Sequence, residues 1–241
     1  MATWVTHLMV ADGVLARYPW LDKLGFAAGN IAPDCNQENE DWTAFEPPRS
    51  VTHWMTGERK QMSDCAGFRI AYLERRKPEI SSLEEYSFLL GYYSHLLTDA
   101  AFQRFIREPD RVAAVWRRIL ADPELAERAE NMDRTWDCAK KVIPGNDRTQ
   151  GIYNMEAIYL NEHPDSLYLT CVLPLKSFLD YIDYLPEGGI VRKIGVMGYV
   201  PQYQENQKYL SISPEEYSVF TEHAIDFVCR TFLEDGLTKW K

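Results

Sequence analysis

The chain has 241 residues, 46% of them hydrophobic and 13% aromatic, which is enough to bury one sizeable core. Its formal net charge of −10 repels nucleic acid at long range and argues against a duplex-binding role. No run of about eighteen apolar residues occurs, so no transmembrane helix is expected. The opening stretch MATWVTHLMVADGVL has no basic leader and polar residues throughout, and does not read as a secretory signal. Cys35, Cys65, Cys138, Cys171 and Cys229 are scattered and form no CxxC pair. Reduced thiols in a cytoplasmic protein are expected, not a disulfide framework or a thiolate zinc ribbon.

Helical periodicity dominates the pattern. Val5, Leu8, Val14 and Leu15 predict a helix over 3–17 that Tyr18-Pro19 ends. Residues 25–60, punctuated by Gly29, Pro33, Pro47, Pro48 and Gly57, are expected to be a long irregular region, of a length that usually carries function. A helix is predicted over 62–76, ending before Pro78. Ser81-Ser82-Leu83-Glu84, a serine followed three residues on by an acid, is a capping signature for the next, which runs to about Arg107. Further helices are predicted over 110–121, 123–142, 149–162, 166–184 and 214–234. Residues 186–212 read as irregular, with a short strand near Ile190–Val196. No linker or repeat divides the chain, so the expectation is one all-α domain, residues 1–241, with about eight helices and long loops.

Five residues do not suit an ordinary core. Phe88, Gly91, Tyr92, His95, Asp99, Phe102 and Ile106 recur at three- and four-residue steps, so His95 and Asp99 share one apolar helix face. A carboxylate buried there costs several kcal/mol unless it is paired or bound to a metal. Taken alone, a His–Asp hydrogen bond closing two helices explains the pair equally well. His7 also faces inward, beside Val10, Ala11 and Val14, and Asp34 and His53 bound the irregular region. Three inward histidines and two aspartates together offer the imidazole and carboxylate donors that zinc takes outside thiolate sites.

The stretches THLMVADGVL, GNIAPD, VTHW and GYYSHLLTDA resemble the zinc-dependent phospholipase C family. That family is seen in bacterial enzymes and in the N-terminal part of glycosylphosphatidylinositol-specific phospholipase D. Fungal and plant single-strand-specific zinc nucleases share its helical scaffold more distantly. The resemblance covers roughly residues 3–107 and implies a helical bundle of the phospholipase C and zinc nuclease type. It implies that Asp34, His53, His95 and Asp99 hold one zinc, and that His7 binds a second with Asp99 bridging. Five donors do not fill two tetrahedral shells, which leaves open positions for water and substrate. The implied chemistry is phosphoester hydrolysis by a metal-activated hydroxide, with one or two Zn2+ ions. Asp34 would also orient or deprotonate the attacking water. The implied substrate is a small phosphoester or a phospholipid.

The departures from the family matter. Extracellular members use a processed N-terminal Trp as a ligand, and no leader whose removal would expose Trp4 is seen here. Phe105 stands where a third-metal histidine is expected, and neither His163 nor His223 begins an HxxxE pair, so no third site is expected. Gln103, Arg104 and Arg107 read as a solvated helix end, and Glu38, Glu40 and Asp41 as a solvated acidic loop. Trp42, Phe45 and Trp54 border the proposed site; as aromatic walls they would suit a lipid or nucleoside, and ordinary packing explains them as well. The second function weighed is a catalytically inactive metal-binding module of the same fold, motivated by the missing third site. A phosphohydrolase with adjacent His and Asp is discounted, because that dipeptide does not occur.

Overall fold

The computed structural model describes residues 2–55 and 63–240. The elements in order are α1 (Trp4–Arg17), α2 (Lys23–Ile31), a 3-10 turn (Ala32–Asp34), and the antiparallel strands β1 (Gln37–Glu38) and β2 (Phe45–Glu46). Next come α3 (Arg49–Thr52) and α4 (Cys65–Phe68), which continues as a π-helix (Arg69–Arg75). Then follow α5 (Leu83–Phe105), α6 (Pro109–Ala121), α7 (Pro123–Arg128), α8 (Trp136–Val142) and α9 (Gly145–Glu162). A π-helical turn (Tyr168–Val172), α10 (Gly189–Met197) and α11 (Pro214–Glu234) complete the chain. The all-α expectation holds. Among the described residues no helix is long and apolar enough to cross a membrane, and no two cysteines form a disulfide.

The chain forms two compact units. One comprises residues 1–101, 164–199 and 223–241, the other 102–163 and 200–222. In the second unit, Arg111 is buried. Its guanidinium donates to the carbonyls of Ile106, at 3.2 Å, and of Ser211, and lies over the rings of Phe105 and Trp136. Phe102 and Phe105 pack on Phe220 in the same unit.

Several local readings are corrected. The region 25–60 is not irregular from its start, because α2 occupies Lys23–Ile31, capped by the Asp22 carboxylate, which accepts from Gly25 N–H at 2.7 Å. Gly25 and Gly29 lower helix propensity and hid this helix in the sequence. The supposed strand near Ile190–Val196 is α10. Ile190, Lys193 and Ile194 are buried at a three- and four-residue spacing, whereas Gly195 and Val196 are exposed. The single helix expected over 123–142 is broken between α7 and α8, and of 166–184 only the turn around Tyr168–Val172 is helical. The expected helix over 62–76 is found from Cys65 onward; its first residue, with Gly57 of the preceding region, lies outside the described residues. The cap of α5 falls one residue later than read: Ser82 Oγ accepts from Glu85 N–H at 3.1 Å, while Glu85 accepts from Ser81.

In the first unit, α2 and α5 cross backbone to backbone. A Cβ on Gly91 would run into the carbonyl of Phe26, and a Cβ on Gly29 into that of Phe88. Glycine is required here by close approach, since neither residue has a positive φ. Gly91→Ala is expected to destabilise by about 1–3 kcal/mol, because the obstructing atom is backbone and the helices must part. Gly195→Ala, at an exposed helical position with nothing within 4 Å, should be neutral or stabilising by up to ~1 kcal/mol. Thermal melts of the two variants check this contrast; equal melting temperatures would refute the close-contact reading.

Candidate metal centre

His7 stands one turn into α1. Thr3 caps that helix by accepting from Thr6 N–H at 3.3 Å, and His7 is fully buried. Its ring lies flat on that of His95, with centroids 3.7 Å apart and planes 7° from parallel. His7 Nε2 is 3.5 Å from Asp99 Oδ1, and neither His7 nitrogen has a hydrogen-bond partner among the described residues. Two unpartnered ring nitrogens in a closed interior are costly for a structural histidine.

The helix crossing at Gly91 sets the orientation of His95. Asn30 lies in the last turn of α2, where carbonyls lack an intrahelical donor. Its oxygen accepts from His95 Nδ1 at 2.7 Å. A carbonyl only accepts, so the proton is on Nδ1 and Nε2 presents a lone pair inward. This backbone partner to the outer ring nitrogen is the usual support of a metal-binding histidine.

His53 is fixed similarly, at the end of the short helix α3. Arg49 Nη2 lies 2.5 Å from His53 Nε2, and a guanidinium only donates, so Nε2 is the acceptor. The proton then lies on Nδ1, 2.9 Å from Thr52 Oγ1. The α3 turn is tied to α5 by an aromatic chain. Trp54 Nε1 donates to Tyr184 Oη at 3.2 Å, Tyr184 donates to Tyr92 at 2.8 Å, and Tyr92 donates to the Thr52 carbonyl. The consequence is geometric: His53 Nε2 and His95 Nε2 face each other at 3.4 Å, both as acceptors. Two such lone pairs repel unless a cation lies beside them.

Both aspartates converge on the same place. Asp34, in the 3-10 turn after α2, has Oδ1 at 3.3 Å from His53 Nε2 and 3.0 Å from Arg49 Nη1. Asp99 Oδ1 accepts from Ala2 N–H at 3.2 Å and faces His7; its Oδ2 lies 3.9 Å from His53 Nε2 and 4.0 Å from His95 Nε2. The two oxygens of Asp99 thus look towards different imidazoles. Donor atoms of His7, His95 and Asp99 all lie within 4.8 Å of one another, as do those of Asp34, His53 and His95. His95 belongs to both sets, which the sequence did not indicate.

Burial raises the pKa of Asp34, but the Arg49 guanidinium and the facing imidazoles outweigh it and hold the carboxyl well below its ordinary range. Asp99 is also held low: burial is overcome by its contact with His7 and by His95. For His95, burial is the leading cause and the neighbouring His7 adds to it, so its pKa falls to about 3. The cluster therefore presents anionic carboxylates and a neutral imidazole, the protonation states in which these groups bind metal. On tautomer, charge and convergence, the residues fit a zinc site.

Arg49 is the residue that sequence reasoning missed. The signal was its four-residue separation from His53, which puts the two on one face of a turn. The basic residues that were weighed lie elsewhere: Arg107 bonds Gln103 and faces Asp137 at 3.6 Å. Phe105 packs against Phe220, His163 stacks on Tyr159 and His223 is exposed on α11. Glu38 is not solvated loop. Its carboxylate is gripped by Arg192, at 2.8 and 3.1 Å, and by the buried Lys193 at 2.6 Å, which fastens the β1–β2 hairpin to α10. Trp42 and Phe45 on that hairpin enclose the Lys193 ammonium.

Residues 6–102, less than half of the chain, match the family model for zinc dependent phospholipase C. All five candidate ligands lie inside that segment. No curated protein and no solved structure matches the chain.

The depressed pKa of His95 makes stability depend on pH. Unfolded, the ring takes a proton near 6.5; folded, only near 3. As pH falls from about 6.5, the unfolded chain binds the extra proton and the metal-free protein should lose stability. Melting temperatures between pH 7.5 and 5 should therefore drop, and His95→Gln should flatten that slope. A wild-type profile as flat as the variant's would contradict the assignment.

Proposed function

We propose that this chain, whose residues 6–102 match the zinc-dependent phospholipase C family model, is a metal-dependent phosphoester hydrolase acting on a small phosphoester or a phospholipid. The observation that carries the reading is the pair of unprotonated Nε2 atoms, on His53 and His95, facing each other at 3.4 Å between the buried Asp99 and the part-buried Asp34 carboxylates. A divalent cation bound there would supply Lewis acidity towards a phosphoryl oxygen and would acidify water.

The chain's own residues do the rest. Asp34, His53 and His95 would hold one ion, with Asp99 reaching the same ion through Oδ2. His7 would bind a second ion with Asp99 Oδ1 and, by the geometry, with His95 close by. Asn30 and Thr52 keep the outer imidazole nitrogens protonated and the inner ones free. Asp34, held anionic, is a weak base; orienting a water by accepting its hydrogen bond suits it better than removing a proton. Zinc is the expected ion, from the donor set of imidazole and carboxylate.

The untreated protein is expected to carry one or two zinc ions by elemental analysis and to hydrolyse phosphatidylcholine or a chromogenic phosphodiester. Chelation should abolish turnover. At metal concentrations about 100 times the dissociation constant, restored metal should add ~2.7 kcal/mol, or roughly 5–10 °C of melting temperature. His95→Ala and Asp99→Asn should each lose zinc and at least ~100-fold of activity, since changes in the supporting shell alone cost 10–100-fold. A zinc-loaded protein that cleaves neither substrate at any pH would refute the hydrolase reading and favour a non-catalytic metal-binding role.

A further inference from the structure

We propose that Arg49 is an internal counter-cation that occupies the metal position in the metal-free protein, gives it up when zinc binds, and then holds a phosphoryl oxygen of the substrate. The proposal rests on the hydrolase reading above for its second half only. Its starting observation is competition for atoms. Arg49 donates to Asp34 Oδ1 at 3.0 Å and to His53 Nε2 at 2.5 Å, and its Nη2 lies 4.0 Å from Asp99 Oδ2. Asp34 and His53 are two of the donors that could hold an ion, and His53 Nε2, the atom that faces His95, Asp34 Oδ1 and Asp99, is the one Arg49 takes. A guanidinium and a cation cannot both take the lone pair of His53 Nε2.

Exposure decides which way Arg49 moves. Its side chain is 33% exposed, against 3% for His53, 12% for Asp34 and 7% for Asp99. The ligands form the floor and the arginine forms the lid, so displacement carries the guanidinium outwards to the mouth. A substrate phosphate approaching the ions must pass that mouth. The planar fork of an arginine matches two phosphate oxygens, which a lysine does not. Arg49 also lies on α3, whose turn is pinned to α5 through Thr52, Tyr92 and Tyr184, so its base stays fixed while its head swings. The acidic floor explains why a positive charge is kept here at all: without it, the part-buried Asp34 carboxylate would lose its nearest cation in the metal-free chain.

The test uses full-length Arg49→Met and Arg49→Lys. Zinc affinity is read by competition with a chromophoric chelator, and inorganic phosphate binding to the zinc-loaded protein by calorimetry. Removing the competing charge in Arg49→Met should tighten zinc binding by about tenfold and lower the melting temperature of the metal-free form; it should weaken phosphate binding by roughly 10–100-fold. Arg49→Lys, which keeps the charge and so protects the fold, should leave zinc affinity near wild type while still weakening phosphate. Unchanged or weaker zinc binding in Arg49→Met, or unchanged phosphate binding in both variants, would overturn the proposal. If wild type binds zinc and turns over substrate while both variants match it, only the Arg49 assignment falls. If wild type takes up no zinc, this proposal and the hydrolase reading fall together.

Discussion

Two carboxylates set among three imidazoles, Asp99 buried and Asp34 part-buried, are the constraint on which the first unit depends. Taken out of water, Asp34 and Asp99 would rather be neutral, yet their surroundings keep them charged. Everything near them acts to make that tenable. Asn30 and Thr52 choose the tautomers of His95 and His53, His7 stacks on His95, and Arg49 brings a positive charge from the solvent side. The helix crossing at Gly29 and Gly91 is part of the same arrangement, because a wider gap would take the Asn30 carbonyl away from His95. Polar placement and backbone packing are therefore one design, not two.

How much of this the sequence disclosed follows from the reach of each signal. Gly91, His95 and Asp99 lie at four-residue steps on one helix, and such a face can be read directly. His7 was legible by the same rule on α1. Asp34 and His53 carry no periodic signal. They were named through resemblance, and their meeting depends on contacts between segments far apart in the chain. Arg49 escaped because a lone arginine after two prolines looks like an exposed loop charge. Its four-residue separation from His53 was the hint in the sequence, and its 3.0 Å distance to Asp34 gives the placement.

The misread elements have physical reasons too. The glycines that lower the helix propensity of α2 are those that let it touch α5, so tertiary contact overrode local preference. In α10, Ile190, Val191, Ile194 and Val196 suggested a strand by their branched side chains, but burial repeats at a helical interval. Glu38 looked like one more acid in a polar run. Its partners, Arg192 and Lys193, are supplied by α10, which no local window includes.

The aromatic chain from Trp54 through Tyr184 to Tyr92 carries one more consequence. Tyr184 lies well past residue 102, where the family match stops, and so does the α10 clamp on Glu38. The matched segment thus borrows its scaffolding from sequence it does not contain. An excised piece holding all five candidate ligands would still lack the struts that aim His53 and secure the hairpin beside Asp34. In this protein the candidate donors lie in one stretch of chain, and the rigidity of their arrangement is contributed by another.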